Sequence, residues 1–226
     1  TYRAVIRFGT ATATDDPTGA VTNTSECWRA LEPARIRAAL EARVGETDQV
    51  PPAYSAKKIE GVRMYRRARA GAAPALSPVR VRIDDIRPVR VEPPDVTAEI
   101  DCGAGTYIRA LARDIGRDVD CVAHLAELRR TRVGRYHVEG AVSLDRLDDD
   151  EAVRNAWVAP LAALDHLPIV TVSDAEAEAL RHGRAVRAPG DSPDCETLAV
   201  AYHGRLLAIA ARVDHRIEPR KVLPDA

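Results

Sequence analysis

An α+β fold is predicted for this chain of 226 residues. Several short segments alternate apolar and polar residues with a period of two, while helical spacing appears in only a few separate stretches. Those stretches do not recur as the regular βαβ units of a doubly wound sheet. Residues 168–226 are rich in strand signals and read as a small β module beside a larger domain at 1–167, with Pro168 at the boundary.

Tyr2 to Phe8 alternates as a half-buried strand does, and Gly9 ends it. A Thr-rich segment to Ala20 carries Asp15-Asp16-Pro17-Thr18-Gly19, a turn that interrupts regular structure. Glu32-Pro33 opens a helix with Ile36, Leu40 and Val44 on one stripe and Gly45 at its end. Gln49 to Lys58 is an irregular loop, because Pro51 and Pro52 each lack an N–H, and Gly61 to Ala70 is a short basic helix. Pro78 to Pro88 and Val96 to Cys102 are strands. Tyr107 to Val119 has helical spacing through Ile108, Leu111 and Ile115, and a second helix runs through Leu125 and Leu128. An acidic bend at Asp148 to Asp150 precedes a short helix. In the last segment Val170 and Val172 form a strand, Ala175 to Leu180 a helix, Gly183 to Arg187 a turn and strand, and Leu198–Tyr202 with Leu206–Val213 a hairpin across His203-Gly204.

A chain that is 46% hydrophobic and 30% charged can bury a sizeable core. No apolar run approaches the roughly 18 residues of a membrane-spanning helix, and no signal-peptide segment opens the chain, so a cytoplasmic protein without a membrane partner is expected. Cys27, Cys102, Cys121 and Cys195 include no C-x-x-C pair; buried thiols are expected rather than a zinc site or a disulfide scaffold. The net charge of -1 conceals polarity along the chain: Gln49 to Arg82 holds eight Lys/Arg and one acid, Asp145 to Glu151 five acids and one Arg. A basic segment of this kind suits a phosphate backbone, and equally a solvated helix face.

Tyr107 and Arg109, two residues apart at a strand-like end, would project to one side, where a base could stack on the ring and the guanidinium reach a phosphate. The plain alternative is a core aromatic beside a structural ion pair. Arg129, Arg130 and Arg132 form a compact basic cluster suited to positioning phosphates. His124 is read as structural, since no Ser or Cys partner is arranged near it. Asp15 and Asp16 belong to a turn. No Gly-rich phosphate loop or metal-ligand cluster implies a nucleotide or a metal.

The run Gly105-Thr106-Tyr107-Ile108-Arg109-Ala110-Leu111, then Ala123-His124-Leu125, then Leu128-Arg129-Arg130-Thr131-Arg132-Val133-Gly134 resembles the bacterial tRNA pseudouridine synthase B (TruB) family. So does the order Pro51-Pro52, Tyr54, Ser55-Ala56, Lys57, Gly61 and Tyr65, and the likeness covers most of residues 1–160. The resemblance implies a mixed-sheet pseudouridine synthase catalytic domain at 1–167 and a PUA-like RNA-binding domain at 168–226. It implies isomerisation of uridine 55 in the T loop of tRNA, with no cofactor and no obligatory protein partner beyond the T arm and T loop. Catalytic positions fall on Tyr2, which would stack on the uracil and assist proton removal from C5, on Arg109, which would order the catalytic aspartate, and on Leu128. Tyr107 would support the pocket. The resemblance matches the Asp15-Asp16 turn to a segment downstream of the catalytic one, which implies that neither is the nucleophile. Tyr54, Lys57, Lys58, Arg63, Arg129, Arg130 and Arg132 would bind RNA. The chain starts at Thr1, and the resemblance places the family's aspartate-bearing N-terminal segment upstream of it; the expectation is a chain lacking that segment and inactive by itself. The alternative is a non-catalytic tRNA-binding or tRNA-folding protein.

Overall fold

The computed structural model describes residues 1–52, 58–59, 62–63, 77–190 and 195–223, with the backbone alone at 58–59 and 62–63. The chain packs as two units, Thr1–Ala141 and Val142–Ala226. The predicted α+β class holds in both.

In the first unit the strands are β1 (Tyr2–Phe8), β2 (Thr10–Thr12), β3 (Val21–Thr24), β4 (Gly45–Gln49), β5 (Lys58–Ile59), β6 (Val62–Arg63), β7 (Val79–Glu92), β8 (Asp95–Cys102), β9 (Ala123–Arg130), β10 (Arg132–Val133) and β11 (Tyr136–His137). Five of them form one sheet in the order β4-β7-β8-β1-β9, and every pairing in it is antiparallel. Ala4, Ile6 and Phe8 alternate along β1 and are 2% exposed or less. That face is covered by two helices, Pro33–Glu41 and Ile108–Asp118. Pro33 sits in the first turn of its helix, where its missing N–H costs nothing. The helix ends at Glu41, so Val44 leaves the apolar stripe and is exposed. Ile108, Leu111, Ala112 and Ile115 repeat at three- and four-residue intervals and put an apolar stripe of the second helix into the core.

Several expectations are corrected. Leu125 and Leu128 lie on a strand, β9, and not on a second helix. Their spacing of three mimics a helical stripe because Ile6 pairs with Leu125 while Val5 pairs with Glu127. Ala126 is thus an extra, bulged residue, which returns both leucines to one face of the sheet. Tyr107 occupies the N-cap position of the Ile108–Asp118 helix, so Arg109 belongs to a first helical turn and does not share a strand face with the ring. β7 runs on to Glu92, and Pro88 is tolerated because the β7–β8 register shifts beside it. Cys27 and Cys121 are joined in a disulfide, with Cα atoms 5.6 Å apart, where thiols were expected; Cys102 and Cys195 are free. The tertiary fold brings the pair together across 94 residues of sequence, which spacing alone does not reveal. Of the segment Gly61 to Ala70 read as a basic helix, Val62 and Arg63 alone are described, and they form strand β6, paired antiparallel with Lys58–Ile59; the rest of that reading lies outside the described residues.

The second unit contains β12 (Ile169–Thr171), β13 (Val186–Arg187), β14 (Leu198–Tyr202), β15 (Arg205–Val213) and β16 (Arg216–Val222) in the order β12-β14-β15-β16-β13. β12 pairs parallel with β14, so the mixed sheet belongs to this unit. His203 and Gly204, both at positive φ, make the two-residue turn between β14 and β15. The helix Asp174–Arg181 starts with a capping box between Ser173 and Glu176, and its Ala177 and Leu180 are fully buried.

The Ile108–Asp118 helix approaches the start of β9 closely at Gly116. A Cβ there would stand 2.7 Å from both the Ala123 Cβ and the Cys121 carbonyl oxygen. Helix propensity alone favours Ala over Gly by about 1 kcal/mol, whereas overpacking of this kind costs about 1–3 kcal/mol. Gly116→Ala is therefore expected to lower the urea unfolding midpoint; a raised midpoint would mean that residues 121–123 give way freely.

Candidate active site

The pleat sorts the predicted site residues. Residues directly opposite in an antiparallel pair share a face, and Tyr2 faces Arg130 while Ala4 faces Leu128. Tyr2, Leu128 and Arg130 consequently stand on the helix-covered side of the sheet, near its Tyr2 end. Leu128 is 47% exposed there, in contrast to the buried Leu125. Arg130 donates to the Tyr2 phenol oxygen from Nε at 3.0 Å and Nη2 at 2.6 Å, and its guanidinium carbon lies 5.0 Å from the ring centroid. The phenol oxygen accepts in both bonds, which leaves its own hydrogen available to donate.

Arg109 stands in the first turn of the Ile108–Asp118 helix. Its Nη1 donates to the Thr14 carbonyl at 3.0 Å and to Asp16 Oδ2 at 2.8 Å. One turn later Arg113 donates to Asp15 Oδ2 at 2.9 Å, to Asp114 Oδ1 at 3.0 Å and to the Val50 carbonyl at 2.8 Å. Two successive helical arginines thus hold the two successive aspartates of the turn between β2 and β3. Asp15 adopts φ 60°, a region that Asp tolerates, and its carbonyl accepts from the Leu125 N–H at 3.0 Å, fixing the turn to β9. The Tyr107 N–H at the N-cap position donates to the buried Gln49 side chain at 2.8 Å.

The two aspartates differ electrostatically. Burial pushes the Asp15 carboxyl up, and the Arg113 contact only partly offsets it. For Asp16 burial also works upward, but the hydroxyls of Thr14 and Thr18, the Thr18 N–H and the Arg109 charge outweigh it and hold the carboxyl below its ordinary value. Asp16 carries hydrogen bonds on both oxygens. A carboxylate so engaged anchors the turn to the helix. His124 is buried and bonds the Thr10 carbonyl through Nδ1 at 2.8 Å, the structural role expected of it.

Of the three arginines predicted to form one cluster, Arg130 separates from Arg129 and Arg132, which line a common cavity. Arg129 pairs across to Arg3, and both point away from Tyr2, into a cavity of about 590 Å³ that Arg87, Glu99 and Asp101 also line. Arg132 donates to Asp101 at 2.6 Å and to the Thr1 hydroxyl at 2.9 Å. Lys58 and Arg63 are register partners in the β5–β6 hairpin. Tyr54, Lys57 and Tyr65 lie outside the described residues. Sequence reading singled out Arg109 but missed Arg113, Gln49 and the anchoring use of Asp15 and Asp16; arginines at i and i+4 on one helix were the available signal.

The family described as TruB family pseudouridylate synthase (N terminal domain) matches residues 1–108, and the tRNA pseudouridylate synthase B C-terminal domain matches 109–167. A tRNA pseudouridine synthase B of Burkholderia lata is 39% identical over 100% of this chain and 71% of its own length. The chain belongs to the TruB pseudouridylate synthase family. A second member, from Thiobacillus denitrificans, is 38% identical over 98% of this chain and 74% of its own. One from Mycobacterium sp. (strain KMS) is 40% identical over 92% and 70%. Solved structures share the fold: a Cbf5-Nop10-Gar1 complex with TM-score 0.69 at 23% identity, covering 98% of this chain and 65% of that one. A second is an H/ACA RNP bound to a substrate RNA containing 2'-deoxyuridine, with TM-score 0.68 at 21% identity, covering 99% and 65%.

These matches overturn one expectation. The family's N-terminal domain is matched from residue 1, so the reading of a chain from which that domain's catalytic segment is missing does not stand, and the expectation of inactivity that rested on it loses its ground. The short motifs around Arg109 and Leu128 invited the error, because a few matched positions fix a register without measuring how much of a domain surrounds them.

The asymmetry of the two aspartates has a measurable consequence. Asp16, held below its ordinary value, contributes stability that is present above the unfolded carboxylate range and lost as pH falls through its folded value. Asp15, pushed up, has the opposite sign: its contribution is present at low pH and lost as pH rises through its folded value. In urea unfolding, Asp16→Asn should therefore cost more at pH 7 than Asp15→Asn, and its cost should shrink toward pH 3. An Asp16→Asn cost that stayed constant across that range would refute the assignment.

Proposed function

We propose that this protein isomerises uridine 55 in the T loop of tRNA to pseudouridine. The observation that carries the reading is the shared sheet face of Tyr2, Leu128 and Arg130 in a member of the pseudouridine synthase family. A uridine in the T loop must leave its stack before its glycosidic bond can be broken and the base turned. Tyr2 offers the extruded uracil an aromatic face and a hydroxyl oriented by Arg130, and Leu128 offers an apolar wall that keeps water from the detached base. The reaction is redox-neutral: the N1–C1′ bond breaks, a C5–C1′ bond forms, C5 loses a proton and N1 gains one.

Arg109 acts as a positioning residue at the helix start. Its link to Asp16 and the Thr14 carbonyl ties the β2–β3 turn to the helix, and its charge favours anionic groups brought to that turn. Arg129, Arg130 and Arg132, with Lys57, Lys58, Arg63 and Tyr54 of the basic segment, hold the T-arm backbone. Arg129 serves a different face from Arg130, so the two contact different parts of the RNA. Tyr107 supports the pocket through the Gln49 contact. The strand-rich segment 168–226 serves as a PUA-like RNA-binding module, and the protein works where its tRNA is made, in the cytoplasm. Among the described residues, no helix is long and apolar enough to cross a membrane.

The test is conversion of the T-loop uridine in an unmodified tRNA transcript, read by release of label from C5. Arg109→Ala should lower kcat about 100-fold, the cost of small misplacement in a catalytic site, while leaving substantial tRNA binding. Tyr2→Phe should keep the stacking surface and bind tRNA normally; Tyr2→Ala should lose about tenfold in binding, the scale of one base–aromatic stack. Unchanged turnover in Arg109→Ala would sink its positioning role. Binding of tRNA with no conversion by the wild-type protein would favour the non-catalytic alternative.

A further inference from the structure

Residues 50–78 connect two neighbouring strands of the first sheet, and they leave and re-enter it at one place. β4 stops at Gln49, β7 starts at Val79, and these two residues are register partners. The connection carries Lys57, Lys58 and Arg63, so the direction in which the chain departs from the sheet decides where those cations stand. The departing end is gripped. Gln49 is 2% exposed, and its Oε1 accepts from the Tyr107 N–H at 2.8 Å. The Val50 carbonyl accepts from Arg113 Nη2 at 2.8 Å, and Pro51 and Pro52, which follow, are buried. The returning end differs, since Ser77 and Pro78 are exposed.

Both grips come from the Ile108–Asp118 helix, one from its N-cap position and one from further along it. Arg113 is a three-way junction. Its Nε donates to Asp114 on its own helix at 3.0 Å, its Nη1 to Asp15 in the β2–β3 turn at 2.9 Å, and its Nη2 to Val50. Each nitrogen thus meets a different segment, and the side chain is 17% exposed. A planar guanidinium fixes the directions of its donors and hence the angles between its partners, which a lysine ammonium on a flexible stem does not.

We propose that Arg113 is a positioning residue for RNA binding: it sets the angle at which residues 50–78 leave the sheet and so places Lys57 and Lys58 on the T arm. An angular error at the root of a connection grows with distance along it, whereas the helix itself is fixed by the apolar stripe that it buries. Loss of Arg113 should therefore show in binding, in contrast to loss of Arg109, which should show in turnover. The inference rests on the reading of Lys57 and Lys58 as RNA contacts and adds a residue that acts through them.

The test is a double-mutant cycle on the binding of an unmodified T-arm hairpin. The paired substitution Lys57→Ala and Lys58→Ala should weaken binding about tenfold through lost phosphate contacts. Arg113→Lys should weaken it about tenfold in the wild-type background and less than about twofold in the paired background, because the cations it places are gone. In conversion assays Arg113→Lys should raise KM about tenfold and leave kcat within about twofold, whereas damage confined to the Asp15 turn would lower kcat. Gln49→Met, similar in shape and without the acceptor, removes the other grip and should repeat the pattern if Arg113→Lys unfolds below the assay temperature. Equal weakening by Arg113→Lys in both backgrounds, or a fall in kcat with KM unchanged, would overturn the proposal. No weakening by the paired substitution would remove the reading of the two lysines as RNA contacts and the positioning role with it. Failure of the wild-type protein to convert the hairpin, with the coupling in binding intact, would remove the catalytic reading and leave the positioning role standing.

Discussion

The antiparallel pairing of β1 with β9 is the contact on which the rest of the first unit depends. It joins residues more than a hundred positions apart and sets which side chains meet on each face. A slip of β9 by one residue would send Leu128 and Arg130 to the side opposite Tyr2 and put Arg129 against the helices. Register is held by burial, because Ala4, Ile6, Phe8 and Leu125 must all enter the same core. The bulge at Ala126 is part of this solution. It lets β9 bury Leu125 and still present Leu128 at the open end of the same face.

Ionic contacts then place the turn between β2 and β3. Arg109 and Arg113 stand one helical turn apart and take Asp16 and Asp15 respectively. All four side chains are largely shielded, so these pairs feel less solvent screening than surface pairs and act together with the surrounding hydrogen bonds. The helix start, the turn and β9 become one mechanical piece, since the Asp15 carbonyl is also bound to Leu125. Three distant stretches of chain are thus tied together at the N-terminal half of a single helix.

Much of the fold was legible where a strong period met a single environment. β1, β8, the two helices of the first unit and the β14–β15 hairpin with its His203-Gly204 turn were all visible in apolar spacing and turn chemistry. β9 was misread because a bulge gives a strand the three-residue spacing of a helix. β16 escaped notice because its charged residues and Pro219 obscure the alternation that buries Ile217. In the site, Arg109 was legible through its motif, but its partner Asp16 was not, because an ion pair across 93 residues leaves no local trace.

By itself the sequence determined the fold class and the family, because periodicity and short motifs are local properties of the chain. Tertiary structure decided which of the predicted site residues share a face. It split Arg129 from Arg130, paired Cys27 with Cys121 and tied two loop aspartates to the arginines of one helix. The physical reason is that pairing register and helix docking are fixed by burial summed over the whole core, and no single segment contains that sum.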